Sequence, residues 1–455
     1  MLSKSSNPGQ LSFMSTLEEQ LDHKHPLYLL AQNMRWQLFE DKLSKFYSEG
    51  IGRPAKPIRM MAGLLILKHV RNLSDESVVE QWAENSYYQY FCGEQSFIAK
   101  EPCEATDLVH FRNRIGVEGV ELILKESIRI NGKDGEEKEA VVDTTVQEKN
   151  ITYPTDSKLH RKIIRKCLVI ADKEQMQLRQ SYTRTLKKLG IDQRFRNHPK
   201  NFKKVRKADR KVKTIAGRLV REIERKLPAY SGGNTDLELF KRILAQKKAD
   251  KNKIHSIHEP HVQCISKGKE HKKYEFGSKV SIITTMQSGV IIGALNIPKN
   301  DYDGHTLQPA IEQQQRLTGT VLKEAYADRG YRGVNGVNGT KISIPKPFND
   351  KMQTQYQQKK MKKGFRRRAA IEPRIGHLKQ DHRLSRNFYK GIRGDDINVM
   401  LASAAWNFKR VMNIWKQMFM IIVTFIRQTL IGKTIDLLLT YSEKTWFYLF
   451  AKMPF

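Results

Sequence analysis

Apolar residues first recur with a helical period between residues 27 and 115. In Arg59-Met60-Met61-Ala62-Gly63-Leu64-Leu65-Ile66-Leu67 the apolar run covers every side, which predicts a buried helix, and Gly52-Arg53-Pro54 ahead of it predicts a turn. Leu73-Ser74-Asp75 opens a second helix, on which Val78, Val79, Trp82 and Ala83 recur at i, i+1, i+4 and i+5. Thr106-Asp107 predicts the cap of a third, carrying Leu108, Phe111, Arg112 and Ile115. Short helices joined by tight turns, with Arg and His on exposed faces, fit a helix-turn-helix DNA reader and an ordinary helical bundle equally well.

The pattern then changes. Asn131-Gly132-Lys133-Asp134-Gly135 is a linker signal, and the strand after it is expected to end at Asp143. Residues 158–254 are mainly helical, with Val212, Ile215, Leu219 and Ile223 on one stripe and a break from Pro228 to Asn234. Strands return at 274–285 and 290–297, joined as a hairpin through Ser288-Gly289. A helix over 306–317, a strand over 321–327, a short strand over 342–344 and helices over 366–381 and 396–413 complete the reading. Strands feeding helices predict a mixed α/β sheet, with the helical block inserted after its first strand.

Composition sharpens this. A chain of 455 residues exceeds what one core usually serves. The expected division is a polar leader (1–26, poorly ordered), a helical N-terminal DNA-binding domain (27–134), a core in two pieces (135–157 and 255–414), the helical insertion (158–254) and an apolar tail (415–455). Lys and Arg number 81 against 48 Asp and Glu, a formal charge of +33. Residues 158–253 alone hold 30 basic against 9 acidic side chains. Such a block points to a polyanionic partner, because its phosphates release counterions on binding. Four cysteines (Cys92, Cys103, Cys167, Cys264) without a CxxC pair exclude a disulfide framework. The polar N-terminus has no signal-peptide core, and the apolar run 418–426 is too short to span a membrane, so a soluble cytoplasmic protein is expected.

Three carboxylates sit where an apolar or helical run would fix them: Asp143 after Ala140-Val141-Val142, Asp328 after Ala325-Tyr326-Ala327, and Glu372 after Arg368-Ala369-Ala370-Ile371. Taken singly, an Asp after a strand is a turn or cap residue, and a Glu amid arginines is a surface ion pair. Together they form a set suited to divalent cations and a phosphodiester. On one continuous helix, Phe365, Arg368, Glu372 and Lys379 would share a stripe. His255, His258, His261 and Cys264 are spaced three apart, but Pro260 interrupts them and a loop entering the sheet explains them better than zinc. Asp301 and Asp303 are spare acids among turn residues, and Tyr302-Asp303-Gly304-His305-Thr306 reads as a capping turn in which His305 is a possible site residue.

The spacing Phe365-x2-Arg368-x3-Glu372-x6-Lys379 resembles the Tyr-x2-Arg-x3-Glu-x6-Lys signature of bacterial insertion-sequence DDE transposases, with Phe in place of Tyr. Val141-Val142-Asp143-Thr144-Thr145 and Ala327-Asp328-Arg329-Gly330-Tyr331 resemble the two Asp motifs of that family. The stretch from Gly52-Arg53-Pro54 to Phe91-Cys92-Gly93 is similar to the InsH-type N-terminal domain of the insertion sequence five group. The resemblance implies a ribonuclease-H-like core in which Asp143, Asp328 and Glu372 bind Mg²⁺ (Mn²⁺ substituting) and act in catalysis. It also implies DNA contacts through Arg368, Lys379, Phe365 and Arg329. Its substrates would be the inverted ends of the protein's own element and target DNA, cut and joined by a homodimer with no membrane association. Two rivals stay open: a relative that binds ends without cutting, and a ribonuclease-H-like structure-specific nuclease.

Overall fold

The computed structural model describes residues 16–48, 54–226, 234–247, 249–266, 272–345 and 354–450. Seven helices come first: α1 (Leu17–Gln20), α2 (Pro26–Asn33), α3 (Trp36–Leu43), α4 (Ile58–Val70), α5 (Asp75–Glu84), α6 (Ser86–Phe91) and α7 (Ala105–Ile130). The all-apolar run becomes α4, buried along nearly its whole length. Ser74 caps α5 by accepting the Ser77 amide at 3.0 Å. The third predicted helix starts earlier than Thr106-Asp107 suggests. Asp107 accepts the Glu104 amide at 3.1 Å, so the chain is already helical at Ala105.

Two other expectations change. Part of the leader is ordered, because Leu17 and Leu21 are buried in the main core. Residues 1–15, and Gly52 and Arg53 of the predicted turn, lie outside the described residues. The Asn131–Gly135 stretch is no free linker, since Arg410 donates to Asn131 Oδ1 at 2.6 Å and to Asp134 Oδ2 at 2.5 Å.

The sheet has eight strands: β1 (Glu139–Lys149), β2 (Gln263–Ser266), β3 (Tyr274–Thr285), β4 (Ile291–Ile297), β5 (Glu324–Tyr326), β6 (Gly336–Val337), β7 (Thr340–Ser343) and β8 (Arg386–Asn387). Its main order is β2-β3-β1-β5-β7-β6, with β4 also paired to β3 and β8 to β1. β1 pairs antiparallel with β3 and parallel with β5, and β5 pairs parallel with β7. The expected end of β1 at Asp143 is wrong. β-Branched Thr144, Thr145 and Val146 keep the ladder with β3 closed as far as Glu148. The β3–β4 hairpin forms as predicted, with Gly289 at φ 74°.

Between β1 and β2 come α8 (Asp156–Lys173), α9 (Thr183–Asp192), α10 (Phe202–Lys226) and α11 (Asn234–Ala245). They share an apolar cluster of their own, which includes the predicted stripe Val212, Ile215, Leu219 and Ile223. The predicted break lies almost entirely outside the described residues. α12 (Leu307–Thr318), α13 (Gln355–Arg368), α14 (Ile371–Asp381) and α15 (Gly391–Phe450) follow. One face of the sheet, through Ala140, Val142, Ala325 and Ala327, packs into a core shared with the N-terminal helices and α15. The other face carries Val141, Met286 and Tyr326 beneath Ile371, Phe365 and Ile375.

The single helix expected over 366–381 is two. Pro373 has no N–H for the Ala369 carbonyl and its ring crowds that carbonyl, so the chain turns at Ala369-Ala370 and restarts. Pro373 then sits in the first turn of α14, where a missing donor costs nothing.

Candidate active site

Parallel register sets the first two acids side by side. Val141 is the last β1 residue paired with β5, opposite Tyr326, and Asp143 and Asp328 each follow two residues later. Alternation turns Asp143 to the Val141 face of the sheet. From Asp143 onward that edge of β1 has no strand partner until β8 joins at Glu148, so both carboxylates stand where the sheet opens. Arg368, at the end of α13, reaches into this opening. One of its Nη atoms lies 3.7 Å from Asp143 Oδ2 and 3.8 Å from Asp328 Oδ2.

Backbone amides fix both acids. Asp143 Oδ1 accepts the Thr144 N–H at 2.8 Å, and Asp328 Oδ1 accepts the Gly330 N–H at 2.8 Å. A side chain at Gly330 would place its Cβ 2.8 Å from Asp328 Oδ1 and 3.1 Å from Asp303 Oδ2, so any larger residue there would displace the carboxylates.

Asp303 approaches the turn after Asp328, where a Cβ on Gly330 would meet both carboxylates. Its Oδ1 accepts from Thr144 Oγ1 at 3.2 Å and from Lys279 Nζ at 2.9 Å. The turn that carries Asp303 is held by these bonds to β1 and β3 rather than by a strand of its own. Beneath the acids lies Tyr331, fully buried. Burial first, then the charges of Asp143, Asp303 and Asp328, hold its phenol far above its ordinary pKa, so it stays protonated. Lys279 and Tyr331 had no assigned role in the sequence. The usable signal was Lys279 itself, a charge opening the apolar run Val280-Ser281-Ile282-Ile283.

The remaining residues are dispersed. Because α13 and α14 are separate, Phe365 and Arg368 belong to one helix and Glu372 and Lys379 to the next, and the shared stripe does not exist. Glu372 is exposed in the first turn of α14. Phe365 packs edge-on against Tyr326, with ring centres 5.6 Å apart. Lys379 is half-buried in the last turn of α14, and Arg329 is exposed in the turn after Asp328. His305 is exposed, its ring 5.7 Å from that of Tyr302. The histidine run makes ordinary hydrogen bonds: His258 to Ser256 Oγ at 2.9 Å and His261 to Asp395 Oδ2 at 3.1 Å.

Two hard carboxylates that already share one cation are donors suited to a divalent metal. Asp143 and Asp328 fit such an ion. Among the described residues, however, no group of three His, Cys, Asp or Glu is arranged to hold one. Nor is any described helix long and apolar enough to cross a membrane.

Residues 15–114 match the family model described as Transposase domain (DUF772), and residues 246–408 match Transposase DDE domain. Asp328, Arg368, Glu372 and Lys379 fall inside the second match, whereas Asp143 and most of the basic helical block fall between the two. An uncharacterized protein of Rhizobium meliloti, ORF8 in the nfe locus, is 40% identical over 195 residues, which is 42% of this chain and 94% of that one. No solved structure matches. With transposase models matching on both sides of the helical insertion, the chain belongs to the DDE transposases.

Proposed function

We propose that this transposase cuts the inverted ends of its own insertion sequence and joins them to target DNA, on a ribonuclease-H-like core of the insertion sequence five type. The observation that carries the proposal is the pair Asp143 and Asp328, held side by side at the sheet opening with one guanidinium between them. A central β1 flanked by antiparallel β3 and parallel β5 supports the same core.

We assign Asp143, Asp328 and Glu372 as the carboxylates that hold Mg²⁺ or Mn²⁺. When bound, the metal supplies positive charge at the attacking and leaving oxygens of an in-line displacement. Glu372 joins the pair as DNA seats the α13–α14 junction. Arg368, which lies between the two acids, would turn to a phosphate oxygen of the bound strand. Lys379 and Arg329 take flanking phosphates, and Phe365 supports Tyr326 under the scissile strand. Water first breaks one P–O bond at each end and leaves a 3′-hydroxyl. That hydroxyl then attacks a target phosphodiester, forming a new P–O bond as the old one leaves. Cutting two ends together requires two copies of the chain.

The test is strand transfer with purified protein, Mg²⁺ or Mn²⁺, and labelled duplexes from the DNA flanking the gene. Wild type should give joined product. Asp143→Asn and Glu372→Gln should bind DNA yet lose joining by about a hundred- to a thousandfold, as when charge stabilisation at a transition state is removed. Joining by Glu372→Gln at the wild-type rate would remove Glu372 from the set. Nicking without joining by wild type would favour the nuclease.

A further inference from the structure

α10 is amphipathic in an unusual sense: one side is apolar and the opposite side almost purely cationic. At 100° per residue, Lys203, Lys207, Arg210, Thr214, Arg218, Arg221 and Arg225 fall in one sector. That sector lies diametrically across from Val205, Val212, Ile215, Leu219 and Ile223, which fill the insertion's own core. All six cations are exposed, and among the described residues none of the six forms an ion pair. The three acids of the helix lie off the stripe and are engaged elsewhere. Asp209 bonds Arg196 and Gln193, Glu222 bonds Lys226 and the Arg179 amide, and Glu224 bonds Lys241.

A solvated helix face ordinarily mixes signs. Here Lys203/Lys207, Arg218/Arg221 and Arg221/Arg225 are like-charge neighbours, which disfavour the helix rather than support it. From Lys203 to Arg225 the stripe is about 33 Å long at 1.5 Å per residue, close to one turn of B-form DNA. Long, flexible cations on a rigid rod match evenly spaced phosphates, and the stripe offers almost nothing that could read base edges.

We infer that α10 is a backbone-binding arm that grips about one turn of duplex DNA without regard to sequence, separately from the site at Asp143 and Asp328. The inference rests on the transposase reading for its choice of polyanion. The arm adds affinity and salt dependence to whatever duplex lies beside the insertion, and it leaves recognition of element ends to other parts of the chain.

The experiment measures affinity of the full chain for duplex DNA against salt concentration. Each phosphate contact contributes about 0.9 to the slope of log affinity against log salt. A variant carrying Lys207→Gln, Arg210→Gln, Arg218→Gln and Arg221→Gln should flatten that slope by about 3 to 4 units. The loss should be equal on element-end and shuffled duplexes, with melting temperature not lowered. The charge-conserving set Lys207→Arg, Arg210→Lys, Arg218→Lys and Arg221→Lys should keep the wild-type slope. An unchanged slope in the Gln variant, a loss confined to element ends, or a loss seen on duplex RNA alone would each overturn the inference. Wild type that binds no duplex at all would instead overturn the transposase reading.

Discussion

Asp75 shows how single residues weld the N-terminal helices to one another and to the segment after β8. Its carboxylate takes Lys68 Nζ at 2.7 Å and both Nη atoms of Arg112 at 2.6 and 3.0 Å, and both cations lie over the Tyr389 ring. Asp75→Asn would leave two buried cations without their counterion, at a cost of about 3–5 kcal/mol. Urea unfolding should show that loss, and a change under about 1 kcal/mol would mean water reaches the cluster. His69 carries a pH dependence. It is wholly buried between Leu65 O at 3.2 Å and Asn398 Oδ1 at 3.3 Å. Burial, then the neighbouring Lys68 charge, pushes its pKa down from 6.5 to about 3. Below 6.5 the unfolded chain takes up a proton that the folded chain refuses, so this contribution to stability is complete above 6.5 and lost as pH falls towards 3. Melting temperatures should therefore fall on acidification, and less steeply in His69→Gln. Parallel curves for the two proteins would assign the acid sensitivity elsewhere.

Between elements, the decisive joint is α13–α14. α13 lies close enough to β5 that a Cβ on Gly364 would collide with the Tyr326 ring. Gly364→Ala should push α13, and Arg368 with it, off the Asp143–Asp328 pair. We expect joining to fall at least tenfold for an overpacking cost of about 1–3 kcal/mol. Full joining activity in a stably folded Gly364→Ala protein would show that the seat of α13 is not needed. Element types were legible from period alone: buried α4 from its unbroken apolar run, and the β3–β4 hairpin from Ser288-Gly289. Boundaries were less so. β1 outran Asp143 because pairing with β3 outweighs the turn tendency of an Asp, and the helix over 366–381 divided because Pro373 cannot serve the Ala369 carbonyl.

Among the described residues two large apolar cores stand out, with a small third cluster on the sheet's other face under α13 and α14. The N-terminal helices, the sheet's inner face and α15 share one, tied by Asn407, which bonds Ser127 Oγ at 3.1 Å and the Ile291 carbonyl at 2.8 Å. α8 to α11 share the other. Calorimetry should accordingly resolve two transitions, and added duplex DNA should raise the one belonging to the insertion. A single transition would show the two cores to be cooperative.

Sequence alone determined what depends on local chemistry: helix and strand periods, and the cationic excess of the insertion. Tertiary structure decided what depends on chain segments meeting. Parallel register put Asp328 beside Asp143, bonds from β1 and β3 brought Asp303 and Lys279 to them, and burial made Tyr331 their floor. None of these is visible in a one-dimensional pattern, because Asp143 and Asp328, and Thr144 and Asp303, lie more than a hundred positions apart, and strand order rather than spacing sets where they meet.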